Sequence, residues 1–177
     1  MPDILQPMYW DAVLILRRTG MRFEDLAHLK MPDDHGRGGC LVQDSEGYWW
    51  IAIDHRFTKT GRDHPIPTRE SDGVIAAIRR QQQRAQAFPN HFQENYLFRH
   101  ARGVISGHTF RAILQQHLAP HLLHGGKPYR LTAHQFRHTL ASEMIEKAGG
   151  CVHRERVSGA QEPADDRALH SNLPQES

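Results

Sequence analysis

The stretch LTAHQFRHTLASEM, residues 131–144, places His134 three residues before Arg137 and four before His138. On a helix those spacings bring the three side chains to one side. Two chemistries suit residues of these types. Paired imidazoles at i and i+4 can hold zinc. An arginine and an imidazole at a helix start can hold a phosphate, because the first turn leaves N–H groups unpaired at the positive end of the helix dipole. The zinc reading lacks the glutamate of the helical HExxH pattern, since Gln135 stands in its place. A second histidine group, His117, His121 and His124, is interrupted by Pro120. A His-based metal-binding protein remains an alternative, with no third ligand marked beside His134 and His138.

The elements that position these residues can be read from the chain. Thr132 followed by Gln135 is a capping-box pattern that starts a helix at Thr132. Phe136, Leu140 and Met144 line one stripe of it, with Ala141 and Ile145 beside them. Far upstream, residues 8–18 form a helix that Thr19-Gly20 stops. Arg22 follows that stop, with Asp25 at i+3 placed to orient its guanidinium by a charge-assisted hydrogen bond. Phe23, Leu26 and Leu29 predict a short second helix reaching toward Pro32. The period then changes: CLVQD, YWWIAID and HPIPT predict a small antiparallel sheet over about residues 40–67, with Lys59 in one of its turns. Helical patterns return from Ser71 until Pro89, and again over residues 106–118. The expected fold class is mainly α with a small antiparallel β-sheet, an α+β arrangement.

Composition narrows the field. A chain of 177 residues suffices for one domain with a core plus a tail. It contains no apolar run near the roughly 20 residues of a membrane span. The start, MPDILQPMYW, has neither the basic nor the apolar region of an export signal. Cys40 and Cys151 fit no CxxC spacing, which suits a reducing cytosol rather than a disulfide framework. Residues 1–150 hold 19 Lys+Arg against 15 Asp+Glu, a net +4, and residues 151–177 hold 3 against 5, a net −2. A mildly basic body is compatible with a nucleic-acid partner without requiring one. After Gly150 the sequence loses periodicity and large apolar residues, so residues 151–177 are expected to be a disordered tail on a domain spanning 1–150.

Three separately placed segments together resemble the catalytic domain of the tyrosine recombinases, the phage integrase family. TGMRFEDLAHLKMPD is similar to the first box of that family, with Asp25 for its glutamate, Met31 for its tryptophan and Asp33 matching. TKTGRDHPIP is similar to its lysine hairpin through Lys59, and HQFRHTLA meets its second box at His134, Arg137 and His138. The likeness covers roughly residues 8–149. It implies site-specific DNA recombination or integration by strand breakage and rejoining, with double-stranded DNA as partner, no cofactor and a cytoplasmic, nucleoid-associated location. Family members act as a tetramer on two duplexes. A tyrosine hydroxyl attacks a phosphodiester and forms a 3′-phosphotyrosyl link, and the released 5′-hydroxyl later attacks in reverse. The resemblance implies that Arg22 and Arg137 grip the non-bridging oxygens, that Lys59 protonates the leaving 5′ oxygen, and that His134 serves as acid/base or further donor. Asp25 and His138 would orient these groups.

The resemblance also implies two gaps. The helical DNA-clamping domain usually found ahead of the catalytic domain is expected to be absent. The third box (L-G-H) and the nucleophile segment (T-x-x-Y) are missing: the tyrosines are Tyr9, Tyr48, Tyr96 and Tyr129, and none follows Arg137. Reading the coding DNA one nucleotide later from Gly150, with permitted synonymous codons, can spell DAFIVSGYLGHKSLRTTERYTPIFRKN. That string carries both boxes in order, the tyrosine codon straddling Leu169 and His170. The tail is thus expected to be a frameshifted translation, and the chain a defective remnant without strand cleavage and poorly stable where lost helices leave apolar surface open. A non-catalytic DNA-binding or regulatory fragment is the alternative.

Overall fold

Met8, Tyr9, Ala12, Ile15 and Leu16 recur at helical steps, and in the computed structural model of the chain they form the buried face of α1, Leu5–Thr19. The structure describes residues 5–54, 56, 64–88, 94–101, 103–118, 123–124, 126–128 and 131–158. It divides into two units, Met1–Glu143 and Met144–Ser177.

In the first unit, α1 is followed by a short helix, α2 (Phe23–Ala27), and a three-stranded antiparallel sheet of β1 (Leu41–Gln43), β2 (Trp49–Ile51) and β3 (Ile66–Thr68) in that spatial order. Leu41 pairs with Ile51, and Ile51 with Ile66, so one register row is wholly apolar. The short β-type runs that predict the sheet are the runs that form it. A 3₁₀ turn at Glu70–Asp72 leads into α3 (Val74–Gln86), whose buried face is Val74, Ile75, Ala77, Ile78, Gln81 and Ala85. Two-residue hairpin strands follow, β4 (Arg99–His100) with β5 (Gly103–Val104), and later β6 (Leu123–His124) with β7 (Lys127–Pro128). Between the hairpins lies α4 (Gly107–His117), capped by the Ser106 hydroxyl, which accepts the Thr109 N–H at 3.1 Å. The last element, α5, starts at Ala133.

The core is a single cluster drawn from α1, α2, the sheet, α3 and α4, with Phe98 and Phe110 among its largest buried side chains. Phe136 of α5 packs against it. Within the second unit, Met144 and Ile145 are exposed, 61% and 71%.

One expectation is corrected. The second helix ends at Ala27 and does not continue to Pro32. Leu29 is buried as the helical step suggests, but in extended backbone: it accepts the Leu97 N–H, and the Met31 N–H donates to Asn95, each at 2.7 Å. Backbone pairing with a distant segment outcompetes a weak local helix there. Helix α5 runs on to Ser158 and so takes in the first residues of the expected tail. Arg154, Glu155 and Arg156 are good helix formers, and prolonging an existing helix avoids the cost of nucleation. Residues 159–177 lie outside the described residues.

Candidate functional site

Arg22 is placed by the turn that ends α1. The Gly20 N–H donates to Leu16 carbonyl at 3.0 Å, and the Thr19 hydroxyl donates to Ile15 carbonyl at 2.7 Å, closing the helix. Gly20 then takes φ +64°, a left-handed conformation that side chains disfavour. A Cβ on Gly20 would also lie 3.0 Å from Leu140 Cδ2 and 3.9 Å from Arg137 Cγ. Glycine therefore serves two purposes: it reverses the chain, and it lets α5 approach. The Arg22 N–H donates to the Asp25 carboxylate at 3.1 Å, which fixes the start of α2. Asp25 was expected to orient the guanidinium of Arg22. The buried carboxylate instead holds the arginine's backbone, because a residue at i+3 of a helix start lies under the first free N–H.

His134 and Arg137 are placed by the start of α5. The Gln135 side chain reaches back to accept the Thr132 N–H at 2.6 Å, as the capping-box pattern anticipates. Gln115 of α4 donates to Leu131 carbonyl at 2.8 Å, tying the segment before α5 to α4. Arg17 of α1 and Glu143 of α5 form an ion pair further along. The exposed rings of His134 and His138 meet edge to face with centroids 4.4 Å apart.

Arg22, His134 and Arg137 line one cleft of about 230 Å³, together with Phe23, Glu24 and Arg111. That is many times the roughly 10–15 Å³ that one water needs by the same measure, so the cleft has room for more than a single water. Arg22 is half-buried, while His134, Arg137 and Arg111 are exposed. Among the described residues none of the three arginines has a carboxylate partner. His138 is not part of the lining. Lys59 belongs to the connection between β2 and β3 and lies outside the described residues. Arg111 and Glu24 were not picked out from the sequence. Arg111 sits in no motif, and its only sequence signal is a place on the polar face of α4. Among the described residues no group of three or more His, Cys, Asp or Glu is arranged to hold a metal ion, and His121 falls outside those residues.

A second charged group stands where the chain leaves β2 toward Lys59. Lys30 Nζ lies 2.9 Å from Asp54 and 2.8 Å from Glu94, and Arg56 lies 2.6 and 3.0 Å from the same two carboxylates. Hydrogen bonding from Arg56, and after it from Lys30, outweighs burial and holds the Asp54 carboxyl well below the usual carboxylate range. For Lys30 burial disfavours the charge, but hydrogen bonds to Glu94 and Asp54 prevail and leave its pKa raised. This arrangement pins both sides of the residues just ahead of the connection.

Comparison with known proteins agrees with this architecture. The chain matches the phage integrase family over residues 8–151. It is 30% identical over 138 residues to transposase B from transposon PsiTn554 of Staphylococcus aureus, an alignment covering 75% of this chain and 19% of that protein. Transposase B from Tn554 of Staphylococcus aureus strain Mu50 is 28% identical over 138 residues with the same coverage. The chain thus spans about a fifth of the length of the curated relatives it matches. Among solved structures, the XerH site-specific recombinase bound to its difH substrate in a pre-cleavage complex superposes with a TM-score of 0.62 at 16% identity, covering 83% of this chain and 38% of that one. The Tn1549 transposon integrase in complex with circular-intermediate DNA gives a TM-score of 0.50 at 21% identity, covering 79% and 46%. The fold is that of the tyrosine recombinase catalytic domains, and the chain belongs to the phage integrase family, whose members break and rejoin DNA.

Proposed function

We propose that the cleft between α2, α4 and α5 receives a phosphate of double-stranded DNA, and that the chain is the remnant of a site-specific recombinase that binds DNA without cutting it. The observation that carries this reading is the convergence of Arg22, His134 and Arg137 on one hollow. Guanidinium groups stay charged at all working pH values and match the geometry of two non-bridging oxygens, so a pair of them both grips a phosphodiester and offsets charge that grows on it. His134 supplies a further donor or a proton-transfer group. Lys59 would protonate the leaving 5′ oxygen. Asp25 acts on Arg22 through the backbone, and His138 acts through the ring of His134.

No tyrosine stands among residues 138–177, so this reading assigns the attacking hydroxyl to no residue of the given sequence. The likeness to the family stops at residue 151, beside Gly150 where the alternative reading frame is taken up, which supports a frameshift over residues 151–177. The coding DNA across Leu169 and His170 decides that point: without a tyrosine codon in the shifted frame, the frameshift is discarded. Assembly as a tetramer on two duplexes and a place on the bacterial nucleoid belong to the same reading.

Titration of a labelled duplex tests the binding claim. Affinity should fall steeply with salt, as phosphate contacts require. Arg22→Gln and Arg137→Gln should each weaken binding about 10-fold, the worth of a charge-assisted contact. Duplex affinity indifferent to both changes would refute the reading. A covalent adduct on a nicked suicide substrate would refute the claim of inactivity while leaving the site intact.

A further inference from the structure

We infer that Arg111 is a third phosphate-binding guanidinium, which takes the phosphate neighbouring the one held by Arg22 and Arg137. The inference rests on the proposed function and extends it to a residue outside the recombinase motifs.

Arg111 lines the cleft with Arg22, His134 and Arg137, and its base is rigidly placed with respect to both motif arginines. On one side, Phe110 is 1% exposed and its ring lies 4.9 Å from that of Phe23, the residue after Arg22. A Cβ on Gly107, one turn before Arg111, would touch the same Phe23 ring at 3.5 Å, so α4 and the start of α2 are in close contact. On the other side, Gln115 holds Leu131 carbonyl at 2.8 Å, two residues before the start of α5. Helix α4 is thereby tied to both elements that carry the motif arginines.

Charge makes the second part of the argument. Three arginines line one hollow that has a single carboxylate, Glu24, in its lining. Like charges gathered without counter-charge repel one another, and an anion relieves the repulsion. One phosphodiester carries one negative charge and two non-bridging oxygens, which two guanidiniums already satisfy. A third cation lining the same hollow is then left over for the next phosphate of a duplex. Arg111 therefore sets the register of the backbone in the cleft and does not take part in the chemistry of the reacting phosphorus.

The test uses the whole chain and a labelled duplex of about 30 base pairs, titrated over a range of KCl concentrations. Arg111→Gln should lower affinity about 5-fold and reduce the slope of log affinity against log salt by about 1, while Arg111→Lys should keep the slope. Arg37→Gln is the control, since Arg37 is exposed, pairs with Asp33 and lies outside the cleft. Affinity that responds to Arg22→Gln and Arg137→Gln, with an Arg111→Gln slope equal to that of the parent chain, overturns this inference and leaves the proposed function standing. An equal loss for Arg37→Gln and Arg111→Gln overturns it as well, because any surface charge would then suffice. No duplex binding by the parent chain overturns both.

Discussion

Two groups of arginines in this molecule live in opposite electrostatic circumstances. At the seam of α1 and α3, Arg80 and Arg84 share the carboxylate of Asp11, which is 5% exposed; Arg80 donates to it at 2.5 Å and Arg84 makes a close second contact. Arg84 also donates to Gln81 at 3.0 Å, and the buried Gln81 amide donates to Leu97 carbonyl at 3.1 Å. In the cleft, Arg22, Arg111 and Arg137 have no carboxylate partner among the described residues. The seam arginines are thus paired within the protein, whereas the cleft arginines are open to a ligand, as the proposed function requires.

The largest effect that sharpens this contrast should come from Asp11. Asp11→Asn leaves two guanidiniums at the α1–α3 seam facing a neutral group. Unfolding free energy should drop by on the order of 2 kcal/mol, below the usual loss for a fully buried pair because Arg80 is half exposed. Denaturant midpoints measure the loss, and a drop under about 0.5 kcal/mol would mean that the seam is ordinary surface charge.

Next comes Gly20, which joins the fold to the cleft. Gly20→Ala forces a left-handed conformation on an L-residue and sets a methyl group 3.0 Å from Leu140. About 1–2 kcal/mol of stability should be lost, and duplex affinity should fall with it because the stem of Arg137 lies on the same contact. Leu140→Ala in the Gly20→Ala background should restore affinity more than stability, since it removes the collision and leaves the backbone strain. Stability recovering in full would show that sterics, not φ, fixes glycine here.

Much of the site was legible in the sequence because its signals are local. The capping residues Thr132 and Gln135 announce the start of α5, and Gly20 announces the end of α1. Short β-type runs announce a sheet whose registers follow them. What escaped depends on partners far away in the chain. Leu29 keeps a helical step but is claimed by backbone pairing with residues near Leu97. The hairpins at Arg99–Val104 and Leu123–Pro128 are two residues per strand, too short for any period to appear. The spacing of Asp25 from Arg22 is the same whether its carboxylate takes the side chain or the backbone N–H, and only the helix start decides. Arg111 is one polar-face residue among several until α2 and α5 close around it.

Acid should separate the paired group near the sheet from the cleft more modestly. Asp54 has a pKa well below its ordinary 3.8, first because Arg56 hydrogen-bonds to it, and Glu94 is lowered chiefly by Lys30. Folding holds these carboxylates ionised more strongly than the unfolded chain does. Their contribution is therefore present above about pH 4 and is lost as pH falls through the folded pKa values. Arg56 is 52% exposed, so water screens much of the effect. Urea midpoints should decline between pH 5 and pH 3, values spanning the ordinary carboxylate range of about 3.9–4.3. Asp54→Asn should flatten that decline. An unchanged decline would assign it to other acids.

The smallest expected change is the one that bears hardest on the comparison. Arg22→Gln and Arg137→Gln remove charge while keeping most of each side chain's aliphatic length, so the packing beside Gly20 is largely retained. An arginine that stabilises the fold leaves a partner stranded when neutralised, as at Asp11. An arginine waiting for a ligand leaves nothing stranded, and its removal relieves repulsion from its neighbours. Denaturant midpoints of both variants should lie within about 0.5 kcal/mol of the parent, displaced if at all toward greater stability at low salt and converging as salt screens the cleft. Asp11→Asn should show the opposite sign under the same conditions. If neutralising either cleft arginine costs as much stability as losing Asp11, the two groups do the same job, and unanswered charge no longer marks the place where a phosphate belongs.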